Sequence, residues 1–199
     1  MSWDDSRRSS TEAAHWFLST VDRVGDRWTA PGLGEWDVRA LVGHTSRSFL
    51  TVESYLARPA ATVEVGSPAD YYAATRAIAS SPDVAARGRD AGAALGATPA
   101  AALHEIAARV LTLVGTCDGT ELLTTIAGGM RLADYLPTRT FELVVHGLDL
   151  ARALGEPLDV PALPAAEALS LVAGLAVTSG QAGALLLAAT GRTTGFSVL

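Results

Sequence analysis

Apolar residues recur along most of this chain at the three-to-four-residue spacing of helices packed on one side. Ala14, Phe17, Leu18, Val21 and Val24 form one such stripe, which predicts a first helix from about Ser10 to Arg27. The segment Thr29 to Trp36, TAPGLGEW, breaks the pattern with Pro and Gly and is expected to be a loop. Asp37 then suits the N-cap of a second helix reaching about Ala57, with Pro59 stopping it. Its inward face is Leu41, Thr45, Phe49, Val52 and Leu56, with His44 at the edge. A third helical region is predicted from Pro68 to about Leu95 with a break at Pro82, and a fourth from the Thr98-Pro99 pair to about Val114. Gly115 to Met130 is expected to be a long loop with a short strand near Leu123 to Ile126. Two more helices follow, at about Pro137 to Leu154, closed by Gly155 and Pro157, and at about Pro164 to Thr178. The closing GRTTGFSVL is expected to be irregular.

At 199 residues, 49% hydrophobic and 18% charged, the chain suits one folded domain over 1-199. Its apolar content is mostly Ala, Leu and Val with only 6% aromatics, which favours closely packed helices over a β-sandwich. The expected fold class is therefore all-α. A formal net charge of −6 argues against a nucleic-acid-binding surface. The N-terminal sequence has no apolar run after its charges, so no signal peptide is expected. Leu169 to Thr190 is long enough to cross a membrane, but Gln181, Ser179 and Thr178 favour a helix internal to the bundle followed by another short element. Cys117 is the single cysteine, which fits a reducing cytoplasm and excludes an internal disulfide. Ala- and Gly-rich helix faces would permit a homodimer.

Against this apolar background one polar constellation stands out. Glu142 and His146 lie four residues apart, and on a helix such residues share a face. With His44 from another helix they would complete a site of two histidines and a carboxylate, the ligand set of an open metal centre with room for water or substrate. Turning the helix by about 100° per residue puts Arg139 and Asp149 on the same arc, with Leu143, Leu150 and Leu154. Arg139 and Asp149 are each three residues from a candidate ligand and could orient it. Asp149 is expected to accept a hydrogen bond from the ring of His44.

Other readings compete. Glu142 and His146 alone could be a helical ion pair, and His44 alone a hydrogen-bonded core histidine. His104 and His15 are rival donors on faces expected to be exposed. Cys117, in a GTCDG turn, has no sequence neighbour that would lower its pKa and is assigned a structural role. Trp36, before the Asp37 cap, is expected to pack as a staple or lid. No phosphate-binding loop, GxGxxG followed by a helix, GxSxG or HExxH occurs.

The motifs LGEWDVRALVGHTSRS and RTFELVVHGLDLARALGEP, in that order, resemble the mycothiol-dependent maleylpyruvate isomerase N-terminal domain family. That family belongs to the wider group of DinB-like metal-binding four-helix bundles. The resemblance extends from the first helix to the closing GRTTGFSVL. It implies a four-helix bundle with extra short helices and long loops. It also implies metal ligands at His44, Glu142 and His146, zinc as the usual ion, and mycothiol as the thiol cosubstrate. Isomerases of the family carry a C-terminal domain that supplies an arginine, and this chain is read as a single domain without it. Two functions follow as expectations. One is a cytoplasmic enzyme whose metal activates a thiol or water for transfer, isomerisation or hydrolysis of a small-molecule substrate. The other is a metal- or small-molecule-binding module without turnover.

Overall fold

A computed structural model describes residues 1–79 and 83–192 of the chain. The first helix, α1 (Trp3–Val21), begins seven residues earlier than its apolar stripe predicts. The cause is local: the Ser2 hydroxyl accepts from the Asp5 amide at 3.1 Å, capping the helix, and Asp4 and Asp5 favour its positive end. The helix ends at Val21, and a short 3-10 turn, Arg27–Thr29, follows. Val24, beyond the helix, is nonetheless fully buried.

The expected loop before Asp37 contains a small antiparallel hairpin, β1 (Pro31–Leu33) and β2 (Trp36–Asp37). Asp37 caps α2 (Val38–Leu56) as expected, its carboxylate accepting from the Ala40 amide at 2.7 Å. Helices α3 (Pro68–Ala79) and α4 (Asp83–Ala94) occupy the third predicted region, and the expected break at Pro82 lies outside the described residues. Helix α5 (Pro99–Gly115) starts with Pro at its first position. The long loop after it holds a second hairpin, β3 (Leu122–Thr125) and β4 (Gly128–Arg131), to which residues 58–64 add further backbone hydrogen bonds.

Helix α6 (Leu132–Leu154) begins five residues before the expected start and runs through Pro137. Proline removes one intrahelical hydrogen bond there. Burial of Leu132, Tyr135 and Leu136 offsets that loss, since each large side chain withdrawn from water is worth roughly 1.5–3 kcal/mol. Gly155 ends the helix in the left-handed region at φ 69°, as its sequence position predicts. Helices α7 (Ala162–Thr178) and α8 (Ala182–Ala189) close the described chain; all but its first two residues of the expected irregular tail fall outside it.

Helices α1, α2, α5 and α6 pack around one core as a four-helix bundle, so the all-α, DinB-like expectation is met. Helix α4 lies against α2 with almost no intervening side chain. A Cβ on Gly43 would sit 2.1 Å from the backbone nitrogen of Gly92, so the two backbones touch where the helices meet. This contact places α4 beside the residue that follows Gly43, which is His44.

The stretch Leu169–Thr190 departs from expectation. Its division into α7 and the short α8 is as expected, but it is not internal to the bundle: Leu169, Val177 and Leu186 are largely exposed. Helix α7 buries only one side, through Ala168, Leu171, Leu175 and Ala176. Among the described residues no helix is long and apolar enough to cross a membrane.

Candidate metal centre

His44 comes from the first half of α2 and Glu142 and His146 from the middle of α6, two helices that pack directly together. The i,i+4 spacing on α6 stacks its two residues as expected, with Glu142 Oε2 3.2 Å from His146 Nε2. The His44 ring meets the His146 ring edge-on at a centroid separation of 4.9 Å. One potential ligand atom from each residue lies within 4.8 Å of the other two. A tetrahedral zinc-like ion holds neighbouring ligand atoms about 3.4 Å apart, given metal–nitrogen distances near 2.1 Å. The Glu142–His146 pair, at 3.2 Å, is already close to that spacing. His44 Nδ1 is buried and has no hydrogen-bond partner, a polar atom the fold leaves unsatisfied. The three residues therefore fit a cation.

Neighbouring side chains fix the orientation of each member. Trp36 packs its indole on the His44 ring at 4.6 Å, donates its ring N–H to the Ala85 carbonyl at 3.0 Å, and rests against Gly88 of α4. The staple reading of Trp36 captured its packing but not that its partner would be a candidate ligand. Asp149 accepts a hydrogen bond from His146 Nδ1 at 3.1 Å. This corrects the expectation that it would reach His44: residues three apart on one helix are immediate neighbours, and the carboxylate is satisfied on its own helix. Tyr72 of α3 donates to Glu142 Oε1 at 2.6 Å. Sequence reasoning missed it, because nothing in local spacing ties a tyrosine to a carboxylate 70 residues away.

Arg139 lies nine-tenths buried between the rings of Tyr135 and Tyr71, its guanidinium carbon 5.0 and 5.5 Å from their centroids. Its Nε donates to Thr138 Oγ1 at 3.0 Å. Its influence on Glu142 is through charge and not through a hydrogen bond.

Burial opposes the charge on Glu142, but the hydrogen bond from His146 and the positive charge of Arg139 prevail and hold the carboxyl down at about 2. Burial likewise works against a charged His146, and hydrogen bonds to Asp149 and Glu142 reverse it, raising the group to about 9. His44 moves the other way, to about 4, first through burial and then through the nearby charge of His146. At neutral pH the site thus holds an ionised carboxylate, one protonated and one neutral imidazole.

The cluster opens into a cavity of about 530 Å³, within the range of small-molecule sites. Among the described residues its lining includes three tyrosines, Tyr55, Tyr71 and Tyr72, and three arginines, Arg47, Arg87 and Arg139, against a single carboxylate, Glu142. The rival histidines lie elsewhere. His104 pairs with Asp22 at 2.8 Å, and with His15 these residues line a separate cavity of about 250 Å³. Cys117 does not line the larger cavity; its thiol donates to the Leu113 carbonyl, and burial pushes it up to about 11.

The profile of the mycothiol maleylpyruvate isomerase N-terminal domain family matches residues 11–151, which include all three members of the cluster. No curated protein and no solved structure matches the chain significantly. The chain belongs to the mycothiol maleylpyruvate isomerase N-terminal domain family.

Proposed function

We propose that this member of the family is a metal-dependent enzyme in which His44, Glu142 and His146 hold a divalent ion, with zinc the best match to two imidazoles and a carboxylate. The observation that carries the reading is the position of the cluster, at the wall of a cavity large enough for a small molecule and not merely a water. A cation at these ligands supplies Lewis acidity and lowers the pKa of a thiol or water brought to it. The chain contributes the rest. Asp149 sets the His146 ring so that Nε2 faces the cavity side occupied by Glu142, and Tyr72 fixes the other oxygen of Glu142. Trp36 covers one face of His44 and limits access of water from that side.

The chain offers no activated thiol of its own at the cavity, since Cys117 lies outside it and is held protonated. A low-molecular-weight thiol of the mycothiol type, or water, is therefore the proposed nucleophile, for transfer, isomerisation or hydrolysis of a small molecule. This chemistry belongs in a reducing cytoplasm. A second reading, a binding module without turnover, is favoured by one feature. Apart from the three candidate ligands, the cavity lining has, among the described residues, no side chain that would act as a general base at neutral pH.

Metal analysis of the purified protein tests the proposal, with His44→Ala, Glu142→Ala and His146→Ala alongside. Near-stoichiometric zinc lost in all three variants is expected, and undiminished metal in all three rejects the site. Mycothiol consumption with electrophilic substrates then separates enzyme from binding module.

A further inference from the structure

Helix α7 is apolar on both sides. Its buried side runs through Ala168, Leu171 and Leu175. At about 100° per residue, Ala162, Ala166, Leu169, Ala173 and Val177 fall together on the opposite arc, and every one of them is exposed. Leu169 and Val177 keep 68% of their surface in water, and Leu186 of α8 keeps 65%. Helix α8, AGALLLAA, has no buried residue although every side chain in it is apolar. Isolated helices shorter than about 12–15 residues are marginal in water, so α8 draws its stability from packing. A helix apolar all round belongs inside a larger structure. A membrane does not supply it: no helix among the described residues is long and apolar enough to cross one. Neither α7 nor α8 carries the Lys or Arg that holds a helix at a lipid surface. Both helices lie beyond residues 11–151, the part that matches the family.

We propose that this face joins two copies of the chain in a symmetric dimer, with the two α7 helices antiparallel and crossing at Ala173. A two-fold interface sets residue i against j and j against i. Centred on Ala173, it sets Leu169 against the partner's Val177, Ala166 against the partner's Gly180, and Ala173 against its own copy. Small residues at the crossing let the backbones approach, and the branched side chains on either side fill the space between them. Antiparallel pairing also carries α8, which follows the C-terminal end of α7, to the N-terminal half of the partner's α7, where Leu186 and Leu187 find cover. Charge favours a second copy as the occupant. Copies of net charge −6 repel one another, and least where neither presents a charge; from Ala168 to Gly191 the chain has none. The 17 residues of α7 span about 25 Å, and two helices side by side are roughly 20 Å wide. That outline is about 500 Å², and side-chain relief brings it toward the ~800 Å² per partner of a standard interface. The dimer requires no metal.

Sedimentation velocity of the purified protein at micromolar concentrations tests the dimer, and a particle of twice the chain mass is expected. Ala173→Glu sets two carboxylates face to face on the two-fold axis and should weaken association at least about 100-fold. Its helical circular dichroism signal should be unchanged, because Ala173 is exposed in the single chain. Ala101→Glu, the same change at an exposed position on α5, should leave the dimer intact. Single cysteines in a Cys117→Ser background test the register. Ala173→Cys should form an intermolecular disulfide on mild oxidation. Ala166→Cys should not, since its two copies lie about 21 Å apart along the helix axis and a disulfide bridges Cα atoms less than about 7 Å apart. A monomer at every concentration overturns the proposal, as does a dimer indifferent to Ala173→Glu or one that cross-links as readily through Ala166→Cys. Monomeric protein that floats with phosphatidylcholine vesicles would give the face to lipid. A monomer destabilised by Leu169→Glu would give it to the chain's own residues 193–199. Either result also overturns the dimer.

Discussion

The ring of His146 is held from both ends, with Nδ1 3.1 Å from the Asp149 carboxylate and Nε2 3.2 Å from Glu142. A carboxylate behind a ligand histidine fixes its tautomer and makes the facing nitrogen a better donor. Asp149→Asn keeps the shape and removes the charge. Zinc affinity is expected to fall about 10- to 100-fold, with the helical circular dichroism signal unchanged. A competition titration against a chromophoric chelator measures it, and a loss below about twofold, well short of that range, would contradict the role.

Metal uptake should release a proton. In the metal-free protein His146 is raised to about 9 and is protonated at pH 7, whereas His44, at about 4, is already neutral. Metal must displace the His146 proton, so zinc affinity should rise about tenfold per pH unit below pH 9. Titration calorimetry in buffers of different ionisation enthalpy is expected to show close to one proton released. The same shift has a stability consequence without metal. The contribution of protonated His146 is present in full below its unfolded value of 6.5 and is lost as pH rises through about 9.

Tyr72→Phe removes the hydrogen bond to Glu142 Oε1 without changing ring packing against Phe141. A hydrogen bond to a charged group contributes about 1.5–3 kcal/mol, so the metal-free protein should lose stability of that order in urea denaturation. Zinc affinity should fall as well, because the carboxylate loses the partner that orients it. Unaltered stability and affinity together would mean that Glu142 is positioned by His146 alone.

Gly43→Ala should be one of the more damaging small substitutions in the chain. The added carbon meets backbone of α4 rather than a flexible side chain, and overpacking of this kind costs about 1–3 kcal/mol. A melting temperature lower by roughly 4–8 °C is expected for a loss of about 2 kcal/mol in a chain of this size. Gly174→Ala, where a Cβ meets nothing within 4 Å, serves as the control and should leave the melting temperature unchanged or higher.

What could be read from the sequence was what local geometry determines. Asp37 and Gly155 mark helix ends through their own backbone chemistry, and the Glu142–His146 spacing fixes a shared face whatever the rest of the chain does. Asp149 was placed on the right face but given the wrong partner, because a helical wheel gives a direction and not the competition between acceptors. The β-branched run near Leu123 to Ile126 marked β3, but the other strands, of two to four residues, are too short for an alternating pattern to register. Tyr72 reaches the site only through the packing of α3 on α6, which no local pattern encodes. The apolar run in α7 and α8 was misread as interior, since hydrophobicity alone does not distinguish a covered face from one left exposed.

The stacking of Trp36 on His44 also gives the protein an optical signal of its own. An indole 4.6 Å from an imidazole senses the charge on that ring, so a cation arriving at His44 should shift or quench Trp36 emission. Four tryptophans contribute to the total, and Trp36→Phe subtracts the responsive one. Occupancy of the centre could then be followed in unlabelled protein, at nanomolar to micromolar concentrations and on the stopped-flow timescale, by light alone.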